Sequence, residues 1–345
     1  MRISSLLCMA VLPFLCSCLS LEQIPFTYLQ PATVSLPPQI TRVAVVDRTG
    51  LANRIPAVNP LDSAGLLAPL RLAGLPAVAV EALAQEMADR RYFDEVVVCD
   101  SVLPVPQSTT VLPTPLSPAE VDELLALLRV DMLVALEALP IETRNRIGFL
   151  PEYGIYRATT DVTVRPAVSL YTSHRSRPLT TLQPTDSIFW ETVGGSLDEV
   201  ARGIISHEQL LRESSDFAGI LVMKELTPYP MTSSRLLYSS QSGPWRDAFV
   251  YAREGSWSKA ATLWETVYKQ SDKPKQKAVA AYNLAVYHEQ AGDIGQALAR
   301  LEEAEVLMQQ TRKAQPAHWA SYKTELSRRY EVQAKLNAQM SRLKP

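Results

Sequence analysis

The stretch Arg42-Val-Ala-Val-Val-Asp47 determines how the N-terminal part of this 345-residue chain is interpreted. It is short, β-branched and apolar on both faces, which is typical of a strand buried inside a sheet. Two similar runs follow, Phe93–Cys99 and Asp131–Leu139, and a helical pattern precedes each of them. Strands that alternate with helices in this way favour an α/β domain.

Both intervening helices carry recognisable start signals. Pro76 opens the first helix, which is predicted to run to Arg91 with apolar residues at helical spacing. The second helix is predicted to begin at a capping box, Ser117-Pro-Ala-Glu120. Residues 48–75 and 104–115 contain several glycines or prolines and are predicted to be loops.

The residues after these strands predict a β-hairpin. Tyr156–Thr172 and Pro178–Val193 read as two long strands, with polar and apolar residues alternating most clearly over 160–165. A polar segment, residues 173–177, provides the turn between them. We therefore expect a hairpin of two long strands.

A single long helix is predicted from Ser196 to about Leu226, and the prolines that follow end it. The resulting order of elements, β-α-β-α-β-β-β-α, favours a mixed sheet with helices mostly on one face. Residues 42–230 are accordingly predicted to be an α/β (α+β, mixed-sheet) domain. Residues 231–244 are predicted to be a linker.

From Trp245 onward the composition shifts towards Ala, Glu, Gln, Lys and Leu, with a glycine at each predicted turn. Gly255 and Gly292 are 37 residues apart, and so are Ala260 and Ala297. This internal repeat resembles tetratricopeptide (TPR) repeats, in which each unit is a pair of helices. The resemblance implies an all-α, TPR-like helical repeat domain over residues 245–345, and a generic pair of helical hairpins is the alternative.

Each repeat position has an expected packing role. Small residues let the helices of a unit approach closely, bulky residues fill the space between units, and glycines end helices with a positive φ. The predicted packing residues are Ala248, Tyr251, Gly255, Ala260, Trp264, Leu284, Ala285, Gly292, Ala297, Leu301 and Ala304. A final helix from Pro316 to about Met340 would cap the stack. We expect a protein or peptide partner on the concave surface of this array.

The beginning of the chain is typical of a bacterial secretion signal. A short basic start precedes the apolar run Leu6–Leu15, which is shorter than the roughly 20 residues that span a bilayer. The run ends in Leu15-Cys16-Ser17-Cys18, which resembles a lipobox. The resemblance implies that residues 1–17 are removed by cleavage after Ser17 and that Cys18 is acylated. A plain signal peptide or a short membrane anchor is the alternative.

A chain acylated at Cys18 would be held at a membrane by its lipid. Residues 18–41 are predicted to be the lipidated N-terminus and a proline-rich tether or edge segment. Because Asp does not follow Cys18, we expect an outer-membrane lipoprotein that faces the periplasm, and surface display stays open.

Composition and motifs argue against several classes of function. The net charge of −2 gives no basic field for nucleic acid. Three of the four cysteines lie within the first 18 residues, so no disulfide framework is expected. The four histidines lack metal-ligand spacing, and the sequence contains no nucleophile elbow, phosphate-binding loop or dinucleotide fingerprint. We predict no catalytic residue, metal site or cofactor.

Two family resemblances add to this interpretation. The strands Val43–Asp47, Phe93–Val98 and Asp131–Val134 resemble the small α/β domain of TolB-like envelope proteins and of the curli-secretion lipoproteins. Taken whole, the chain resembles an uncharacterised family of Bacteroidetes-type lipoproteins with C-terminal TPR units. The lipobox, the first strand, Asp186–Trp190 and the repeat carry this second resemblance. It implies protein contacts in the envelope and transfers no active-site residue.

The leading hypothesis is a non-enzymatic, membrane-anchored envelope lipoprotein that acts as a scaffold or assembly factor. One alternative is an enzyme, or an enzyme activator, of cell-wall metabolism, which requires a polar pocket with perturbed pKa values in the α/β domain. Another is a surface glycan-binding lipoprotein, which requires exposed aromatic platforms. Trp190 and Trp245 are the candidate platforms.

Overall fold

A computed structural model describes residues 19–50, 70–99, 102–103, 112–241, 243–311 and 313–342. The chain divides into two compact units. The α/β unit consists of Pro31–Tyr229 and Lys335–Pro345, and the helical unit consists of Met1–Gln30 and Pro230–Ala334. A sheet-rich N-terminal region and a helical C-terminal region therefore follow one another, as the sequence predicts. Ser17, Cys18 and the rest of the predicted signal peptide lie outside the described residues.

The strands are β1 (Ser20–Gln30), β2 (Arg42–Asp47), β3 (Leu70–Ala73), β4 (Glu95–Cys99), β5 (Met132–Ala138), β6 (Pro140–Leu150), β7 (Ile155–Val164), β8 (Ala167–Thr172), β9 (Thr180–Leu182), β10 (Asp186–Gly194) and β11 (Tyr229–Ser239). The helices are α1 (Pro76–Asp89), α2 (Pro118–Leu128), α3 (Leu197–Gly203), α4 (His207–Leu226), α5 (Pro244–Arg253), α6 (Trp257–Gln270), α7 (Pro274–Gln290), α8 (Ile294–Gln309) and α9 (Ala317–Met340).

The core of the α/β unit is a five-stranded sheet in the order β4-β2-β5-β8-β9. Strand β2 runs parallel to β4 and β5, and β8 runs antiparallel to β5. Val43 and Val45 pack in a cluster with α1 and α4, whereas Ala44 and Val46 pack in a cluster with α2. Because helices cover both faces of the sheet, every residue from 43 to 46 is apolar. The expectation of helices mostly on one face is therefore only partly correct.

A second, antiparallel sheet has the order β10-β7-β6-β3, and the sequence patterns missed two of its strands. Strand β3 lies within residues 48–75, which were expected to be a loop. Strand β6 pairs with β7 from Ile141 to Leu150. Its central residues, Arg144-Asn-Arg146, show no alternation of polar and apolar side chains, because they are all exposed. Pairing with a neighbouring strand, not local pattern, determines this element.

The predicted hairpin is present, but each of its arms is divided between the two sheets. Strands β7 and β10 pair in the four-stranded sheet, and β8 and β9 pair in the five-stranded sheet. The divisions fall at Pro166 and Pro184, which have no backbone N–H to donate to a ladder.

The predicted long helix after this hairpin is two helices. Helix α3 ends at Gly203, and α4 begins at His207. Ser206 caps α4, because its hydroxyl accepts a hydrogen bond from the backbone N–H of Gln209 at 3.2 Å.

The predicted tether, residues 18–41, contains ordered structure on both sides of Gln30. Strand β1 pairs with β11, so much of the predicted linker is also a strand. In the α/β unit, the side-chain amide of Gln339 accepts from the Ala32 N–H at 2.9 Å and donates to the carbonyls of Ala32 and Val34. Long-range hydrogen bonds thus fix segments that look irregular in sequence.

In the helical unit, α5 and α6 form one hairpin, α7 and α8 form another, and α9 follows. Gly255 and Gly292 follow α5 and α7 with φ values of 79° and 83°, which place them in the left-handed region. Most of the predicted packing residues are fully enclosed, and these are Ala248, Ala260, Trp264, Leu284, Ala285, Ala297, Leu301 and Ala304. Tyr251 is partly buried. None of the helices in the described part of the chain has the length and apolar character needed to cross a membrane.

Candidate interaction site

Helix α7 holds strand β11 through the main chain of one residue. The Asn283 side chain is completely buried in the middle of α7. Its Oδ1 accepts from the Tyr238 N–H at 3.0 Å, and its Nδ2 donates to the Tyr238 carbonyl at 2.9 Å. A neighbouring strand offers the same donor and acceptor pair, so one amide side chain replaces a rung of a β-ladder. This contact recognises extended backbone and does not depend on the side chain at position 238.

The Tyr238 side chain occupies an aromatic pocket formed by α7 and α9. Its ring meets Tyr282 edge-on at 5.4 Å, and its hydroxyl accepts from the Trp319 Nε1–H at 3.1 Å. The Nε2 atom of His318 lies 3.3 Å from the same hydroxyl. Burial lowers the pKa of His318, which favours the neutral imidazole at this partly buried position.

A buried charge cluster lies on the same helices. Glu289 of α7 accepts two hydrogen bonds from the Arg235 guanidinium, at 2.8 and 2.7 Å. Arg329 of α9 also contacts this carboxylate, and the Tyr322 hydroxyl donates to it at 2.9 Å. Arg235 donates further to Glu325 at 2.7 Å. Two carboxylates therefore balance two guanidinium groups, as a buried cluster requires.

Electrostatics keep the members of this cluster in fixed protonation states. Burial acts to lower the pKa of Arg235, but the contacts with Glu289 and Glu325 outweigh it and raise that pKa. Burial raises the pKa of Tyr322 well above its ordinary value, and the negative charge of Glu289 adds to the effect. The phenol consequently stays a hydrogen-bond donor across the physiological pH range.

Strand β1 is held by the same guanidinium groups. The Phe26 ring lies 4.6 Å from the Arg235 guanidinium carbon, and the Tyr28 ring lies 4.0 Å from that of Arg329. Ile24 joins the apolar core of the helical unit. Cation–π contacts and apolar packing thus attach the first described strand of the chain to its helices.

We refer to Tyr282, Asn283, Glu289, Trp319 and Tyr322 together as the strand-binding face. The sequence predicts a peptide-binding surface in this unit, and this face carries an extended polypeptide that belongs to the chain itself. Sequence reasoning missed its polar members. A usable signal exists for one of them, since Asn283 is the single amide or charged residue in the otherwise apolar and aromatic stretch 278–287 of α7.

A second buried carboxylate, Glu137, lies in the α/β unit. The Arg48 Nη1 atom donates to both Glu137 oxygens at 2.9 and 3.0 Å, and the Tyr171 hydroxyl donates at 2.8 Å. Burial raises the pKa of Glu137 against the opposing charge of Arg48, and burial beside Glu137 raises the pKa of Tyr171 to about 12. All three side chains are almost completely enclosed, and the cluster links residues at the ends of three strands.

The other residues singled out from the sequence lie in structural surroundings. Trp190 is partly buried and donates to Glu213 at 2.9 Å, and Trp245 is buried, so neither offers an exposed aromatic platform. Within the part of the chain that the structure covers, no three histidine, cysteine or acidic residues are grouped to hold a metal ion.

Two family models match the chain. Residues 40–238 match a domain of unknown function, DUF8603, and residues 246–328 match a second one, DUF6340. No curated protein is significantly similar to the chain. The first match covers more than half of the sequence and includes almost all of the α/β unit and of β11. The chain therefore belongs to the uncharacterised DUF8603 family.

Proposed function

We propose that this protein is a lipid-anchored lipoprotein of the bacterial envelope that acts, without catalysis, as a scaffold or assembly factor. Cleavage after Ser17 would expose Cys18 for acylation, and the helical unit, taken as TPR-like, would hold a protein partner. Outer-membrane attachment facing the periplasm and membership of a Bacteroidetes-type lipoprotein group belong to the same proposal.

The observation that carries the proposal is the strand-binding face. Asn283 satisfies both main-chain groups of one residue, Glu289 accepts an arginine, and Tyr282 with Trp319 encloses an aromatic ring. These are the means by which helical surfaces recognise extended polypeptides. The function best supported by this unit is therefore polypeptide binding.

Because β11 occupies that face, the partner binds elsewhere on the helical unit. A groove of about 740 Å³ lies along α8 and α9. Its lining is polar and charged apart from Ala320, and the other lining residues are Glu305, Gln315, Lys323, Thr324, Ser327, Arg328 and Glu331. Its mixed charges suit a polypeptide with residues of both signs, and we assign the partner to this groove.

The lipid part of the proposal has a structural consequence. Strand β1 begins at Ser20, two residues after the proposed acylation site. A lipid on Cys18 would therefore continue almost directly into a strand that is packed on α7 and α9. In cells, Cys18→Ala should move the protein out of the membrane fraction and stop incorporation of labelled fatty acid.

Site-specific photocrosslinking in native envelopes tests the scaffold function. A photoreactive residue replaces the exposed Thr324 in the groove, and a matched one replaces Phe189, which is 67% exposed in the α/β unit. We expect one dominant protein adduct from position 324 and none from position 189. Equal labelling at both positions, or capture of glycan fragments without protein, would refute the scaffold function.

A further inference from the structure

A cavity of about 730 Å³ opens in the α/β unit, at the end of the five-stranded sheet where β2 and β5 begin and β8 ends. Its volume lies within the range of roughly 300–1,000 Å³ that is typical of small-molecule sites. The lining residues are Pro37, Gln39, Ile40, Arg42, Leu125, Ala126, Arg129, Val130, Asp131, Thr172, Ser173, Arg175 and Leu179.

The charges around this cavity are unbalanced. Among the described residues that line it, three are arginines and Asp131 is the one carboxylate. Asp131 Oδ2 accepts from the N–H groups of Thr41 at 3.0 Å and Arg42 at 2.8 Å, and Oδ1 lies 3.5 Å from the Arg42 guanidinium. Burial opposes ionisation, but these hydrogen bonds outweigh it and lower the pKa of Asp131. The carboxylate of Asp131 is therefore paired with Arg42.

Arg129 and Arg175 are left to face the cavity with no ion-pair partner among the described residues. Arg342 adds positive charge behind one wall. It donates to the carbonyls of Leu36 and Pro37, at 3.2 and 2.6 Å, and also to that of Ile40. These three acceptors are neutral, and the guanidinium also lies 5.0 Å from the centre of the Tyr92 ring, so the wall is held in place without a negative charge beside Arg342.

Two residues at this end of the sheet have a positive φ. Arg129 and His174 have φ values of 56° and 60°, in the left-handed region that side chains other than glycine seldom adopt. Arg129 lines the cavity, and His174 lies between the lining residues Ser173 and Arg175. Arg129 is the left-handed C-cap of α2 and His174 lies in the turn after β8, so these conformations position the neighbouring arginines at this end of the sheet.

We infer that this cavity binds an organic anion, a carboxylate or a phosphate ester with an apolar body. The guanidinium groups of Arg129 and Arg175 supply paired donors to the anionic end. Ile40, Leu125 and Leu179 supply the apolar wall for the rest of the molecule. The inference is independent of the scaffold function, since it concerns only the α/β unit.

Fluorescence titration with 1-anilinonaphthalene-8-sulfonate, an aromatic anion, tests the inference on the Cys18→Ala chain in solution. The double variant Arg129→Ala/Arg175→Ala should weaken binding by about tenfold or more, because both charge-assisted contacts are lost. Arg144→Ala is the matched control, since Arg144 is exposed on the other sheet and forms no ion pair with the described residues. It should leave binding unchanged. Equal thermal melting of both variants and the parent chain would show that the fold is intact.

Displacement identifies the chemistry of the ligand. We expect 1-naphthyl phosphate and 1-naphthoate to displace the probe, and neutral 1-naphthol to leave it bound. Preference between the two anions assigns the site to a phosphate or to a carboxylate. Unchanged affinity in the Arg129→Ala/Arg175→Ala variant, or displacement by 1-naphthol as effective as by the anions, would overturn the inference.

Discussion

Two buried carboxylates, Glu137 in the α/β unit and Glu289 in the helical unit, provide an instructive comparison. Both are almost inaccessible to solvent, and both accept an arginine and a tyrosine. Glu137 connects residues at or beyond the ends of β2, β5 and β8, which the backbone ladder already joins. Glu289 connects α7 with β11 and α9, and no shared ladder joins a strand to a helix.

The same polar chemistry therefore has two different structural roles. At Glu137 the polar contacts reinforce strands whose order is already set by main-chain hydrogen bonds and by apolar clusters on both faces of the sheet. At Glu289 the polar contacts are a principal link that holds the strand pair on the helices, together with the Asn283 amide. A change at Glu289 should release β11 from the helices. A change at Glu137 should lower the free energy of unfolding without releasing any strand from its sheet.

The largest effect is expected from Glu289→Gln. The variant keeps the side-chain shape but leaves Arg235 and Arg329 with one remaining carboxylate, and breaking a buried pair of this kind costs about 4 kcal/mol. Urea denaturation should show this loss in the free energy of unfolding, and β11 amides should lose protection from deuterium exchange. The control is Glu302→Gln, whose exposed contact with Lys323 at 3.6 Å should matter by less than about 0.5 kcal/mol.

A somewhat smaller effect is expected from Glu137→Gln, since only one guanidinium is left without a charged partner. The free energy of unfolding should fall by about 3 kcal/mol. Amides of β2 and β5 should stay protected, because their ladder is intact. If their protection fell as far as that of β11 does in Glu289→Gln, the two clusters would have the same role and the comparison would fail.

An effect of about 1 kcal/mol is expected from Gly292→Ala, because the left-handed conformation at φ 83° is unfavourable for a residue with a Cβ. Gly148→Ala in β6 is the matched control. An added Cβ meets no atom within 4 Å at either position, and only Gly292 has a positive φ. Thermal melting should separate the two variants, and equal stabilities would show that φ is not the cause.

The smallest effect concerns pH. Burial lowers the pKa of His318 below its ordinary value of 6.5, so the unfolded chain takes up the proton first as the pH falls. His318 therefore favours folding above about pH 6.5 and loses this contribution as the pH falls below it. The free energy of unfolding should decline between pH 7.5 and pH 5.5, and His318→Gln should flatten that slope. A steeper decline in His318→Gln would contradict the assigned direction.

Elements whose cause lies in a short stretch of sequence were predicted correctly. The capping box forms as expected, with the Ser117 N–H donating to Glu120 at 2.8 Å and the Glu120 N–H donating back to the Ser117 hydroxyl at 3.4 Å. The strand at 42–47 is apolar on both faces because helices cover both. Such features depend on neighbours in sequence or on burial alone, so one sequence is enough to find them.

The interaction site could not be found in that way, because its partners are distant in sequence. Gln23 of β1 donates to Ser234 of β11, which is 211 residues away. Nothing near residues 20–30 or 229–239 indicates that the two segments pair, and Pro25 together with the prolines at 31, 37 and 38 makes the first segment look like part of a tether. The cavity of the α/β unit could not be found from the sequence for the same reason, since its arginines come from three separate segments of the chain.

The most direct test of the strand-binding face is deuterium exchange at the Tyr238 amide, whose acceptor is Asn283. The amide should exchange as slowly as the amides of α7 in the parent chain. In Asn283→Leu it should exchange quickly while α7 remains protected. Fast exchange of this amide in the parent chain, or unchanged slow exchange in Asn283→Leu, would contradict the conclusion that α7 holds β11 through its main chain.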